Sequence, residues 1–316
     1  MTDLQKRARI IFNPTSGRET LKNKLVDILN VLEQGGYETS IYATTPAENS
    51  AQNEARRVAQ AGFDLVVAAG GDGTINAVIN GIAPLEKRPR LGIIPAGTTN
   101  DFARALGIPR DDFVEAARVI ANGQTTAMDV GKASNQKLTH YFINIAAGGR
   151  LTELTYDVPS DLKTVFGYMA YLMKAVEMLP QARPMDIKVQ YDGGSYAGKA
   201  SMFFLAMTNS VGGLEQAVPN ASLSDGKFTM IIVKTGNMVE IMQLIMKVMN
   251  GGRHVHDSRI IYQETTHFSV KDNQDKMPIN LDGEYGGDAP MDFQNLKEHI
   301  EIFSNLKAVA DPATQA

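Results

Sequence analysis

The run Gly70-Gly71-Asp72-Gly73-Thr74 has residue types that suit phosphate chemistry. It follows an apolar stretch at residues 64–69 and opens a segment with helical spacing, so it reads as a strand-to-helix turn. Glycines at three of its positions let the backbone adopt positive φ and approach a ligand closely. The next helix adds unpaired N–H groups and the positive end of its dipole. Asp72 would repel a bare phosphate, so it implies Mg2+ or a water network beside it. The combination points to a magnesium nucleotide; the plainer alternative is a tight turn with an incidental Asp. Two similar turns accompany it. Asn13-Pro14-Thr15-Ser16-Gly17 follows the first expected strand, and Gly97-Thr98-Thr99-Asn100-Asp101 follows the strand that begins at Leu91. Open α/β sheets bind ligands at the C-terminal ends of their strands, so three small-polar turns along one edge outline a pocket. No G-x-x-x-x-G-K-[ST] loop is present, G-x-G-x-x-G fails because Asn76 occupies the third glycine's place, and the protein-kinase signatures are missing.

A second constellation is Asn280-Leu281-Asp282-Gly283-Glu284-Tyr285-Gly286-Gly287, at the end of a strand expected over residues 279–281. Two carboxylates two positions apart on a strand point to the same side, and either could accept a proton from an attacking hydroxyl. A solvated Asp-Gly hairpin is the competing reading. Leu223-Ser224-Asp225-Gly226 offers hard oxygen ligands of the kind Mg2+ takes, although Asp-Gly turns are common. His254-x-His256 has metal-binding residue types but no third ligand close in sequence, and reads as an exposed loop.

The elements that must position these groups differ between the two halves of the chain. Up to about residue 133, apolar runs at 9–12, 39–43, 64–69 and 91–95 alternate with helical patterns. Leu21, Leu25, Ile28, Leu29 and Leu32 share one helix face closed by Gly35-Gly36, and residues 49–61 and 111–121 read as further helices. Later, extended segments at 185–191, 199–207, 228–233 and 279–281 are linked by Gly- and Asp-rich turns, with Asp192-Gly193-Gly194-Ser195 as a hairpin signal. Two helices interrupt them. One covers 161–179; the other covers 238–250, with Asn237 and Glu240 as a capping-box-like start and Gly251-Gly252 as its stop. The Met- and Tyr-bearing stripe of the 161–179 helix reads as core before lipid-facing surface.

At 316 residues, two domains are expected. With 43% apolar and 21% charged residues, the composition is globular. A net charge of −4 gives no global attraction to nucleic acid or to anionic lipid, so no nucleic-acid partner is expected and any membrane contact is local. The chain has no Cys, which excludes disulfides and thiolate metal sites and fits a cytoplasmic location. No signal peptide is recognisable, and no stretch approaches the roughly 20 apolar residues of a spanning helix.

In their order and spacing, the 13–17 turn, the 70–74 turn with Asn76, the 97–101 turn and Asp282-Gly283-Glu284 resemble the diacylglycerol kinase catalytic family, in its soluble bacterial branch. The resemblance covers nearly the whole chain, including Ala146-Ala147-Gly148-Gly149, Glu177-Met178-Leu179-Pro180 and the Leu223 turn; it departs at Ala77, where the family usually has Glu. It implies an N-terminal doubly wound, NAD-kinase-like α/β domain over 1–133, joined by a returning tail at 296–316. A C-terminal β-sandwich-like domain over 134–295 would follow, with the nucleotide site in the interdomain cleft. The implied reaction is ATP-dependent phosphorylation of diacylglycerol to phosphatidic acid at a membrane surface, within phospholipid metabolism. Asn13, Pro14, Thr15, Ser16, Gly17, Thr44, Gly70, Gly71, Asp72, Gly73, Thr74, Asn76 and Thr98 would contact ATP. Asp72, Asp101 and Asp129 would organise catalytic Mg2+ and its waters, and Asp282 or Glu284 would be the base. A structural Mg2+ would take the Asp225 side chain and the carbonyls of Ser222 and Lys227. A homodimer and peripheral, transient contact with anionic lipid are also implied. Candidate lipid contacts are Lys163, Lys174, Arg18, Lys22, Lys24 and Arg104, against ordinary solvated surface. The rival readings are a related kinase acting on phosphatidylglycerol, a sphingoid base or NAD, and a nucleotide-binding module without catalysis.

Overall fold

A computed structural model describes residues 6–97, 100–149, 184–208, 218, 222–234, 237–249, 253–272 and 277–306. The chain divides into two units, Met1–Met128 with Glu298–Ala316, and Asp129–Lys297.

In the first unit, β3 (Leu65–Gly70) and β4 (Arg90–Pro95) carry near-continuous apolar runs, β1 (Lys6–Phe12) carries one over its last three residues, and β3 is buried along its whole length. Strands covered on both faces require that pattern. The more polar β2 (Tyr37–Ala43) lies at the edge. The order is β2-β1-β3-β4, all parallel, followed by the end of the long β16 (Met291–Phe303), where Ile302 pairs with Leu91. The helices α1 (Leu25–Gln34), α2 (Ser50–Gln60) and α3 (Asp72–Ile82) connect successive strands. Gly81 lets α2 and α3 approach, because a Cβ there would lie 2.5 Å from the Gln52 carbonyl oxygen.

The short α4 (Asp101–Ala105) and then α5 (Phe113–Ala121) complete the unit. The Asp112 carboxylate caps α5 by accepting the N–H groups of Val114 and Glu115 at 2.9 and 3.0 Å. Those amides, Glu115's first, hold its carboxyl below the ordinary value. The single helix expected through Leu21 and Leu32 is instead a 3-10 segment, Gly17–Lys24, running into α1. Three residues per turn shift Leu21 off the α-helical stripe, yet it is buried with Ile28 and Leu32.

The second unit contains β5 (Thr125–Ser134) from Asp129 onward, β6 (Thr139–Phe142), β7 (Ile145–Gly148), β8 (Met185–Tyr191), β9 (Gly194–Ala200) and β10 (Met202–Ala206). Then come β11 (Phe228–Val233), α6 (Met238–Met249), β12 (Ile260–Thr265), β13 (His267–Asp272), β14 (Pro278–Leu281), β15 (Glu284–Asp288) and the start of β16. One antiparallel sheet runs β16-β13-β8-β9, and the other runs β12-β11-β10-β7-β14-β15. Between them Phe142, Phe203, Phe228, Phe268 and Phe293 form a fully buried cluster, with Phe203 and Phe268 centroids 4.9 Å apart. The α/β unit followed by a β-sandwich is the expected fold class.

The extended stretch expected over 199–207 breaks at Ser201, where the chain leaves one sheet for the other. His254 is not exposed: it is 2% accessible in a 3-10 turn, Arg253–His256, whereas His256 faces solvent. The 161–179 helix and the Gly251-Gly252 stop lie outside the described residues. Among the described residues, no helix is long and apolar enough to cross a membrane.

Candidate active site

In the first unit, the three turns lie at the C-terminal ends of β1, β3 and β4. The Asn13 amide donates to the Ala69 carbonyl at 3.0 Å, which fastens the first turn to the end of β3. The Asn13 side-chain oxygen accepts the backbone N–H and the hydroxyl of Thr15 at 3.0 and 2.8 Å, closing the turn on itself. After β2, Thr44 donates its amide to the Phe12 carbonyl at 2.9 Å and so sits beside the same strand end.

The glycines of the central turn serve a different purpose from the one their sequence suggests. Gly71, the N-cap of α3, has φ −82°, and none of Gly70, Gly71 and Gly73 has positive φ. What excludes side chains is proximity. A Cβ on Gly70 would lie 2.5 Å from Thr74 Oγ1, and one on Gly97 would lie 2.7 Å from the Gly71 Cα. Gly71 and Gly97 therefore hold the turns after β3 and β4 in direct contact, with the Ala96 amide on the Gly70 carbonyl at 2.8 Å.

Asn100 locks this junction. Its side chain accepts from the Gly97 amide at 3.0 Å and donates to the Gly97 carbonyl at 2.7 Å, while its own amide donates to Asp72 Oδ2 at 3.2 Å. It does so at φ +48°, a conformation that Asn tolerates better than most residues. The α3 start thus presents first-turn N–H groups next to a carboxylate of fixed direction. Asn76 is held in turn by Asn80, whose amide donates to its side-chain and backbone oxygens at 3.0 Å each. Sequence reasoning placed Asn100 in a polar turn without giving it a task. Its signal was an Asn three residues after Gly97, the spacing at which its side chain reaches back to that glycine. Thr98 and the side chain of Asp101 lie outside the described residues; Asp101 begins α4.

In the second unit, Asp282 and Glu284 do not share one strand, as their spacing suggested. Leu281 pairs with Glu284 across the β14–β15 turn, so Glu284 begins β15 while Asp282 is a central residue of the turn with Gly283, at φ +52° and +95°. Positive φ at both positions is the requirement of a type I′ hairpin. The turn aims the Asp282 carboxylate back at the β6–β7 connection, where it accepts the amides of Ile143, Asn144 and Ile145 at 2.8, 2.9 and 2.9 Å. An acceptor occupied by three amides is a clamp. Glu284 is exposed and has no side-chain partner among the described residues, so of the two it is the carboxylate available to a substrate.

Asp129, fully buried, also acts on backbone. Its Oδ2 accepts the Gly226 amide at 2.6 Å and its own amide donates to the Leu223 carbonyl at 2.8 Å. It thereby fixes the turn that carries Ser222, Asp225 and Lys227. Within that turn Asp225 Oδ1 accepts the Lys227 amide at 2.9 Å, and its other oxygen has no partner among the described residues. Ser222 and Asp225 are exposed. One open carboxylate oxygen on an accessible turn is a hard ligand of the kind Mg2+ takes, an ion that keeps several waters and needs few protein ligands. Among the described residues, no group of three or more His, Cys, Asp or Glu side chains is placed to hold a metal ion by itself.

Residues 7–133 match the diacylglycerol kinase catalytic domain, and residues 154–304 match the YegS C-terminal NAD kinase beta sandwich-like domain. The chain is 52% identical over 297 residues to a diacylglycerol kinase of Bacillus subtilis (strain 168), covering 94% of this chain and 96% of that one. It is 47% identical over 301 residues to a diacylglycerol kinase of Staphylococcus aureus (strain JH9), covering 95% and 93%. A Bacillus anthracis str. Sterne crystal structure, described as a candidate diacylglycerol kinase, superposes with a TM-score of 0.80 at 26% identity, covering 99% and 98% of the two chains. The catalytic-domain match spans all three phosphate-type turns, the sandwich match spans the Asp225 and Glu284 turns, and the chain is a kinase of the diacylglycerol kinase family.

Proposed function

We propose that the protein transfers the γ-phosphoryl group of ATP to the free hydroxyl of diacylglycerol, yielding phosphatidic acid and ADP. The observation that carries the nucleotide half is the Gly71–Gly97 contact with Asp72 held by Asn100 at the start of α3. The acceptor half rests on the names of the relatives and on Glu284.

Amides at the α3 start and the Asn13–Thr15 turn hold the phosphates, with Thr44, Asn76 and Thr98 nearby on the nucleotide. Glu284 accepts the hydroxyl proton as the acceptor oxygen bonds to the γ-phosphorus and the bond to the β–γ bridging oxygen breaks, with ADP leaving. Phosphoryl transfer depends mainly on positioning and charge neutralisation, so the base also orients the hydroxyl. Bound Mg2+ supplies charge neutralisation, with Asp72 and Asp101 as residues that would hold it, and a second ion would be held by Asp225 and the Ser222 and Lys227 carbonyls. Asp129 positions the second of these turns.

The test is transfer from γ-labelled ATP to a panel of diacylglycerol, phosphatidylglycerol, sphingosine and NAD. Label in phosphatidic acid alone supports the reading. Label in another acceptor, or ATP binding without any transfer, overturns it.

A further inference from the structure

Asn80 stands where an apolar residue would be expected. It is 6% exposed on α3, among the buried Val78, Ile79 and Ile82, and a carboxamide in that setting costs stability unless its polar atoms are bonded. Its Nδ2 donates to two oxygens of Asn76, one helical turn earlier: the backbone carbonyl and the side-chain Oδ1, at 3.0 Å each. The first bond ties Asn80 to the helix itself. The second holds the side chain of Asn76, which is only half-buried and stands one turn beyond Asp72.

Together the two bonds fix a direction. A carboxamide can turn over and exchange its oxygen and nitrogen, so the orientation of an Asn follows from its partners. The backbone carbonyl of Asn76 can only accept. It therefore holds the Asn80 carboxamide with its nitrogen toward Asn76, and that nitrogen in turn requires the oxygen of the Asn76 side chain to face it. The N–H edge of Asn76 is thereby placed on the side away from Asn80. Helical side chains lean toward the helix N-terminus, so that side is the one toward the first turn of α3, where the backbone amides and the Asp72 carboxylate fixed by Asn100 are gathered. Phosphate oxygens only accept hydrogen bonds, so a donor edge there is the polarity a nucleotide requires, and an oxygen edge is the polarity it would be repelled by.

We propose that Asn80 is a positioning residue for the nucleotide: it locks the Asn76 carboxamide so that its N–H edge, and not its oxygen, meets the phosphates at the start of α3. The proposal deepens the ATP reading and rests on it. The test is ATP affinity of the full chain, measured by calorimetry without an acceptor lipid. Asn80→Ser keeps a hydroxyl that can bond the Asn76 carbonyl but no longer reaches its side chain, and is expected to raise Kd for ATP about fivefold. Asn80→Asp leaves only acceptors facing Asn76, so its carboxamide turns over, and Kd is expected to rise more than about tenfold. Added to Asn76→Ala, Asn80→Ser is expected to change Kd by less than about twofold, because no side chain is left to orient. A Kd for Asn80→Ser within about twofold of wild type overturns the proposal. An equal loss with and without the Asn76 side chain also overturns it, since Asn80 then acts on the helix alone. Because Asn80→Ser retains the bond to the helix, the proposal stays open to refutation even if the buried charge of Asn80→Asp unfolds the chain. A wild type that binds no ATP refutes the nucleotide reading and the proposal together, whereas a wild type that binds ATP with Asn80→Ser unaffected refutes the proposal alone.

Discussion

Asp282 and Glu284 are two positions apart, yet the hairpin turn gives them different surroundings, Asp282 on three backbone amides and Glu284 exposed. Asp282→Ala removes one acceptor from three amides and is expected to destabilise the protein by about 3 kcal/mol, read as a lower denaturant midpoint. Glu284→Gln is expected to leave that midpoint unchanged and lower kcat by about a hundredfold or more, with ATP affinity retained. Equal effects on stability and turnover in both variants would mean that the roles are not divided this way. The types of both residues were legible in the sequence. Their separation was legible only as the competing Asp-Gly hairpin; that Asp282 would accept the amides of Ile143, Asn144 and Ile145 was not, because those residues are distant in sequence. The same holds for Gly70 and Gly71, whose positions were legible while the reason for them is contact with Thr74 and Gly97. Asp257 makes a third residue-scale case. Arg259 first, then Lys247, hold its carboxyl well below the usual carboxylate range. A depressed folded-state pKa stabilises the fold above the unfolded value of about 3.9, and the gain is lost as pH falls toward the folded value. Denaturation of Asp257→Asn beside wild type should therefore show its largest deficit at neutral pH and a narrowing one below about pH 4.

At the scale of elements, the parallel strands were the easiest to foresee, because strands buried on both faces show as apolar runs. The thirteen-residue β16 was missed. It alternates buried and exposed positions as far as Asn295, then loses the period around Glu298, which has φ +49°, so the two-residue signal does not extend along it. The ten-residue β5 and the short β6 and β7 were also unread, being rich in small and polar residues. Element contacts give a prediction of their own. Gly97→Ala puts a methyl group 2.7 Å from the Gly71 Cα and is expected to push the two turns apart, raising the apparent Kd for ATP more than tenfold with little loss of melting temperature. Gly81→Ala, at the α2–α3 crossing, is expected to do the reverse: about 1–2 kcal/mol of stability lost by overpacking, and ATP affinity kept.

For the molecule as a whole, two half-buried histidines set an acid limit. Burial lowers the pKa of His140, and chiefly burial that of His299, whose Nε2 lies 2.8 Å from the Ala83 carbonyl oxygen. A base with a depressed folded-state pKa binds fewer protons folded than unfolded, so stability is full above the ordinary value of about 6.5 and falls as pH drops through it. Replacing His299 with Gln should flatten the decline in melting temperature between about pH 6.5 and 5; an unchanged slope would assign the decline elsewhere. The path of β16 has a different kind of consequence. It pairs with β13 in the sandwich at its start and with β4 in the α/β unit at its end. The parallel sheet that begins with β1 therefore waits for a segment made only after most of the sandwich. Synthesis must run through the sandwich before residues 298–303 can reach β4, so a nascent chain stopped at residue 128 exposes a bare sheet edge. In the cell, the amino-terminal unit is accordingly the later of the two to be completed, and the part of the molecule most in need of protection during translation.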